Sequence, residues 1–311
     1  MTRTLAARLA ALTLAGLLVL DPQHAAAAGP PAQLEASRRI QLDHISVEVV
    51  GHGSPVLLIP GLATPRAVWA DFVPALARTH RVFLVQVNGF GGDAPRANLS
   101  PGLLDGIVAD LDRLIRSEKL DRPAVVGHSM GGLVGLILAS KHPEDLNRLM
   151  VVDALPFFGV LAVPPGTEAT VAAVEPGARA MRDAIAAGYG KPADPARTAA
   201  QVAGLALKPE NRARMEAWAV KADPRVTALA FYEDMTTDLR PALPAIRTPI
   251  TLVYPWSDSA FGKERTETFY HSAYEAAPQV TQVPIGDSAH FVMLDQPEAF
   301  RTALEAFLAK R

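Results

Sequence analysis

The run Gly127-His128-Ser129-Met130-Gly131-Gly132 sets a serine in Gly-x-Ser-x-Gly spacing, after the short apolar stretch Ala124-Val125-Val126 and before helical spacing over residues 133–140. Between a strand and a helix this pattern carries chemistry. A serine on so sharp a turn is held in a strained backbone conformation. Side chains two positions to either side would collide, so Gly127 and Gly131 are required there. The turn lifts the hydroxyl clear of the sheet, and the helix N-terminus sets backbone N–H groups beside any developing negative charge. A serine hydroxyl is a poor nucleophile at neutral pH and needs a base within hydrogen-bond reach. His290 is the candidate base, in Gly286-Asp287-Ser288-Ala289-His290-Phe291, after the last expected strand and before the terminal helix.

The other histidines fit less well. His24 lies in the N-terminal leader, and His128 neighbours the serine with its side chain expected to point away. His44, His52, His80, His142 and His271 fall in an early strand, loops or helices without catalytic context. None forms His-Glu-x-x-His, so this spacing supports no metal. Gly89-Phe90-Gly91-Gly92-Asp93-Ala94 fits Gly-x-Gly-x-x-Ala, but Pro95 and a polar loop follow where a dinucleotide fold needs a helix. There is no Gly-x-x-x-x-Gly-Lys loop either, so no cofactor is expected.

The elements that must position these groups are legible as alternating patterns. Short runs rich in Val, Leu and Ile at 55–59, 82–87, 124–126 and 149–152 read as buried parallel strands. Helical spacing separates them at 67–77, 103–114 and 133–140, with Ser100-Pro101 in cap and first-turn positions of the second. Residues 40–50 alternate with polar residues and read as an antiparallel edge strand. Strand signals then vanish over residues 155–240, where helices are expected at 177–187, 195–205, 211–221 and 226–236. Sheet order resumes at 250–254 and 280–285, with helices around 263–276 and 297–309. The expectation is an α/β fold: a mostly parallel sheet covered by helices on both faces, built from 29–154 and 241–311, with 155–240 inserted as a helical lid. Helices packed on the sheet edge are the alternative for that insertion.

Residues 1–28 differ from the rest. Arg3 and Arg8 precede about twelve apolar residues ending at Leu20, and Ala25-Ala26-Ala27-Ala28 offers small residues for cleavage after Ala27 or Ala28. The apolar run is shorter than the ~20 residues that span a bilayer. A secretory signal is expected, and a periplasmic or secreted mature chain with no stable membrane anchor. The 311 residues contain no cysteine, so no disulfide or cysteine-borne lipid is available. A net charge of -2 gives no electrostatic reason to expect nucleic acid, and 49% hydrophobic content suffices for a large core.

With these residues in place the chain resembles the α/β-hydrolase superfamily, in its lidded serine esterase and lipase-like group. Pro55-Val56-Leu57-Leu58-Ile59-Pro60-Gly61 resembles the family's strand into the oxyanion loop, and Asn88-Gly89-Phe90-Gly91 its Pro-Gly-Phe-Gly turn. Gly127 to Gly132 resembles the nucleophile elbow, and His290-Phe291-Val292-Met293-Leu294-Asp295-Gln296-Pro297-Glu298 the terminal histidine motif. The resemblance implies Ser129 as nucleophile, His290 as base, and Asp258, just beyond strand 250–254, as the acid orienting the imidazole. Asp153, after strand 149–152, is its rival because some members use that position, and Asp287 is read as a loop or helix cap. The family's usual glycine before the acid is replaced by Pro255-Trp256. The resemblance also implies an oxyanion hole from the backbone N–H groups of Leu62 and Met130. The expected reaction is hydrolysis of a small-molecule carboxylic ester of modest size through an acyl-enzyme, with Phe157, Phe158, Val160, Leu161, Trp69 and Trp256 as candidate pocket residues. Amide, peptide or carbon–carbon hydrolysis, acyl transfer, and a noncatalytic receptor of the same fold are the alternatives.

Overall fold

A computed structural model describes residues 38–164 and 166–309, so the expected leader at 1–28 lies outside the described residues. Eight strands form one sheet: β1 (Arg38–Gln41), β2 (Ile45–Val50), β3 (Ser54–Ile59), β4 (His80–Val87), β5 (Ala124–His128), β6 (Arg148–Val152), β7 (Ile250–Trp256) and β8 (Val280–Gly286). Their order is β1-β2-β4-β3-β5-β6-β7-β8. The β1–β2 and β2–β4 pairs are antiparallel and every later pair is parallel. The single edge strand expected over 40–50 is therefore two strands. Leu42 N–H donates to the Ile45 carbonyl at 2.9 Å, and Asn88 Nδ2 donates to the Leu42 and Asp43 carbonyls, so the chain turns back there.

Alternation along each buried strand sends side chains to two cores. Leu57, Ile59, Phe83, Val85, Val125, Leu149 and Val151 face one layer. That layer holds α2 (Leu103–Ser117), α3 (Met130–Lys141) and the tyrosines of α8 (Lys263–Tyr274). Val56, Leu58, Val82, Leu84, Val126, Met150 and Val152 face the other. There they meet α1 (Val73–Leu76), α9 (Val292–Asp295) and α10 (Pro297–Ala309). Helix α3 is buried at every position from Met130 to Ala139, so it carries no polar stripe. The helix expected over 67–77 is broken into a 3-10 turn, Arg66–Trp69, and the single turn of α1. Pro74 has no N–H for the Ala70 carbonyl, and its ring crowds that group. Trp69, a candidate pocket residue, is instead core: it is fully buried and stacks on Phe300 at 6.2 Å.

Four helices lie between β6 and β7: α4 (Val171–Ala186), α5 (Pro195–Val202), α6 (Pro209–Ala219) and α7 (Pro224–Thr236). Helix α4 begins six residues before the expected start at 177, running through Pro176, with Thr170 Oγ1 accepting from Ala173 N–H at 3.2 Å. Asp194 and Asp223 cap α5 and α7 in the same way. Leu239 N–H donates to the Pro156 carbonyl at 2.8 Å, joining the two ends of this segment. Among the described residues no helix is long and apolar enough to cross a membrane.

The α2 N-terminus differs from expectation. Its cap is Gly102 at φ 89°, one residue past Ser100-Pro101, and no side chain of its own closes it. Glu233 of α7 supplies the cap, accepting from the N–H groups of Gly102, Leu103 and Leu104 at 2.6, 3.0 and 2.8 Å. A carboxylate there satisfies three orphan donors and meets the positive end of the helix dipole. Glu233→Ala should therefore lower unfolding free energy by about 1–2 kcal/mol, measured by urea titration. A change under about 0.5 kcal/mol, the level of an ordinary surface substitution, would mean water replaces the cap at no cost.

Candidate active site

Ser129 sits where β5 ends and α3 begins, with φ 54° and ψ −126°, a strained conformation for a residue with a side chain. Its N–H donates to the Val152 carbonyl at 2.9 Å, and its own carbonyl accepts from Gly132 and Leu133. The flanking glycines are required by contact. A Cβ at Gly127 would lie 2.1 Å from the Gly131 oxygen, and one at Gly131 would lie 2.5 Å from the Ile59 oxygen. Residues 59–61 thus press against the elbow. A Cβ at Gly61 would be 3.0 Å from Ser129 Cβ, and Leu62 is the next residue along the chain; Met130 is the first residue of α3.

The carboxylate beside His290 is Asp153. Its Oδ2 lies 2.7 Å from His290 Nδ1. Asp258, the preferred acid on sequence, is exposed in the turn after β7 and makes no hydrogen bond to His290. The physical reason lies in strand length. Val253 of β7 is level with Val152, the last residue of β6, but β7 continues through Pro255-Trp256, paired with Ile285-Gly286 of β8. The chain then closes a tight turn in which Ala260 and Gly262 N–H both donate to the Ser257 carbonyl. Asp258 is carried past the site on the side toward β8. Asp153 instead follows β6 directly, next to the strand that carries Ser129. It has φ 48°, and its N–H is bound to the Val253 carbonyl at 2.8 Å. Trp256, another candidate pocket residue, packs on Gly286 at this far edge. Phe157 is buried with Ala169 and Val174, whereas Leu161 is exposed.

Side chains outside the expected set hold this pair. Tyr270 of α8 donates its hydroxyl to Asp153 Oδ1, leaving Oδ2 for His290. One turn on, Tyr274 donates to the Ala154 carbonyl at 2.8 Å. Both project from one helix face, as i and i+4 residues do, and Tyr270 stacks on Tyr254 at 4.4 Å. Burial pushes the Asp153 carboxyl upward, but the His290 charge and hydrogen bond and the Tyr270 hydroxyl outweigh it and hold it below its ordinary value. Burial, then the Asp153 charge, raises Tyr270 well above a normal phenol, so it stays a donor.

His128 does not point away from the site as expected. Its ring is fully buried, 4.6 Å from the His290 ring and 4.7 Å from Phe291. Nε2 lies 3.0 Å from the His290 carbonyl, which can only accept, so the proton is on Nε2. Nδ1 is buried without a partner. Burial, then the neighbouring His290, depresses His128 to about 3, so it is a neutral strut under His290. Asp295, inside the terminal histidine motif, is fully buried. It accepts from Ala289 N–H at 3.1 Å in the His290 loop, and from Leu207 N–H and Asn211 Nδ2 at 2.9 and 3.0 Å at the start of α6.

A doubly wound sheet with a serine elbow and a histidine–carboxylate pair at the carboxyl ends of its strands defines a class. Residues 54–297 match the family model for the alpha/beta hydrolase fold. The chain belongs to that family and is an enzyme of its hydrolase class. It is similar to the pimeloyl-[acyl-carrier protein] methyl ester esterase of Aeromonas hydrophila subsp. hydrophila, 28% identical over 85% of this chain and 99% of that one. A thermophilic esterase from Thermogutta terrifontis shares the fold at TM-score 0.71 and 22% identity, over 88% of this chain and 98% of that one. The enol-lactonase of Burkholderia xenovorans LB400 shares it at TM-score 0.63 and 20% identity, over 88% of this chain and 100% of that one.

Two outcomes follow from the struts. The unfolded chain protonates His128 near the ordinary value of 6.5, whereas the folded chain refuses that proton down to about 3. The unfolded state therefore binds more protons in this window, and stability falls as pH drops through it, by up to about 1.4 kcal/mol per unit. His128→Gln, which keeps a donor for the His290 carbonyl, should remove that part of the slope in urea midpoints measured from pH 7 to 4. Parallel slopes in the two proteins would show that His128 is not held neutral. Tyr270→Phe leaves Asp153 Oδ1 short of its donor and should cost about 1–3 kcal/mol in the same assay at pH 7; an unchanged midpoint would refute the bond.

Proposed function

We propose that this enzyme is an exported serine hydrolase that cleaves a carboxylic ester of modest size through Ser129, His290 and Asp153. The observation that carries the reading is the 2.7 Å pairing of His290 Nδ1 with the Asp153 carboxylate beside the serine elbow. That bond fixes the proton on Nδ1 and leaves Nε2 as the basic nitrogen. His290 then takes the Ser129 proton as the hydroxyl attacks the substrate carbonyl. The tetrahedral oxyanion rests on the N–H groups of Leu62 and Met130. His290, now imidazolium opposite the Asp153 charge, protonates the departing alcohol. Water repeats the cycle on the acyl-enzyme, with His290 as base. The helices of residues 155–240 act as a lid that excludes water from this step. The name of the Aeromonas relative, a methyl ester esterase, supports an ester over an amide. The leader sequence supports export, and nothing in the net charge of -2 calls for a nucleic-acid partner.

The test compares variants of the full chain on p-nitrophenyl esters from acetate to palmitate, with fluorophosphonate labelling alongside. Ser129→Ala should abolish turnover and labelling. Asp153→Asn should lower kcat on the order of 10⁴-fold by leaving the imidazole in the wrong tautomer, while Asp258→Asn stays within about twofold of the wild type, as an exposed residue outside the site should. The reverse ranking would return the acid role to Asp258. A folded wild type that hydrolyses no ester and takes no label would overturn the serine mechanism and favour a binding role for the pocket.

A further inference from the structure

A second cluster lies at the opposite end of α3 from Ser129. Helix α3 has 12 residues, so its two ends stand roughly 18 Å apart. At its C-terminus are His142, the helix cap, and Asp145, whose N–H donates to the His142 carbonyl at 3.0 Å in the following turn. Asp112 reaches the same spot from α2. One donor atom from each of Asp112, His142 and Asp145 lies within 4.8 Å of the others.

We infer that Asp112, His142 and Asp145 form a binding site for a divalent cation of zinc's borderline type. Asp145 is only 5% exposed, and its Oδ2 is buried without a hydrogen-bond partner. A buried carboxylate oxygen with nothing to accept from is costly, and a second carboxylate aimed at the same point adds repulsion. Arg116 reaches only the Asp112 side: its Nε lies 2.6 Å from Asp112 Oδ1, from a side chain that is 64% exposed and can turn into solvent. His142 Nδ1 stands 3.9 Å from the same oxygen. A proton shared between two carboxylates would have no use for the imidazole. A cation uses all three, and two oxygens with one nitrogen and an open position suit zinc better than calcium or magnesium, which take oxygen alone. The negative end of α3 faces the same point and favours positive charge there. A His-Glu-x-x-His pattern does not describe this set, because its members come from α2, the cap of α3 and the turn that follows. A bound ion would tie α2 to the α3–β6 turn, away from the catalytic pair.

The test is calorimetric titration of Zn²⁺ into the full chain after treatment with a chelator, with Ca²⁺ and Mg²⁺ in parallel. One saturable zinc site is expected, with a thermal midpoint that rises with zinc concentration. Asp145→Asn and His142→Gln should each weaken binding by about tenfold or more, while His290→Gln leaves it intact. If Asp145→Asn fails to fold, His142→Gln, at a partly exposed position, carries the test. The inference is overturned by a wild type without saturable zinc binding, which would mean that the carboxylates share only a proton. It is equally overturned if binding survives His142→Gln but is lost in His290→Gln, or if calcium binds as tightly as zinc.

Discussion

The turn at Ser129 is the constraint on which the rest of this structure depends. A residue with a side chain held at φ 54° and ψ −126° costs on the order of 1–3 kcal/mol. It persists only because the surroundings leave no alternative. Gly127 and Gly131 touch across the turn, residues 59–61 press on it from β3, and α3 behind it is buried along its whole length from Met130 to Ala139. Relaxing Ser129 would require withdrawing the buried span of α3, Met130 to Ala139, from the core, a far larger loss than the strain. The same packing keeps Ser129 on the carboxyl edge of the sheet, where β5 and β6 end side by side.

That adjacency decides which carboxylate serves the histidine. Asp153 is drawn into place by its position after β6, by a left-handed backbone at φ 48°, and by a tyrosine on each of two successive turns of α8. One carboxylate oxygen is committed to Tyr270 and the other to His290, so the acid has a single orientation. The charge survives burial because both partners favour the ionised form. His128 completes the support from below: a charged ring there would repel an imidazolium at His290, and its burial keeps it neutral.

Local patterns made the framework legible. Val- and Leu-rich runs marked the parallel strands, and Gly-His-Ser-Met-Gly marked the elbow, because both depend on residues adjacent in the chain. That Asp153 rather than Asp258 meets His290 was not legible, because it depends on where β7 ends relative to β6. Pro255-Trp256 extends β7 by pairing with β8, and nothing within 250–258 alone reveals that partner. Tyr270 and Tyr274 stand at i, i+4 spacing, but their targets lie 117 residues away for the first and 120 for the second. The α2 cap has the same character. Ser100-Pro101 looked sufficient locally, yet Glu233 provides the acceptor from 129 to 131 residues away.

Long-range carboxylates also explain how the inserted helices are joined to the His290 loop. Glu233 fastens α7 to the start of α2, and Asp295 joins the start of α6 to the loop that carries His290. Asp295 is fully buried and takes its donors from both sides of that boundary, so neither side satisfies it alone. Moving α6 away would strip a buried charge of Leu207 and Asn211 and leave Ala289 as a remaining donor, a cost of several kcal/mol. Any opening of the insertion is therefore confined to parts not held by this carboxylate, such as α4 and α5, or else it displaces the histidine loop as well. The start of α6 and the His290 loop are thus joined through one buried side chain.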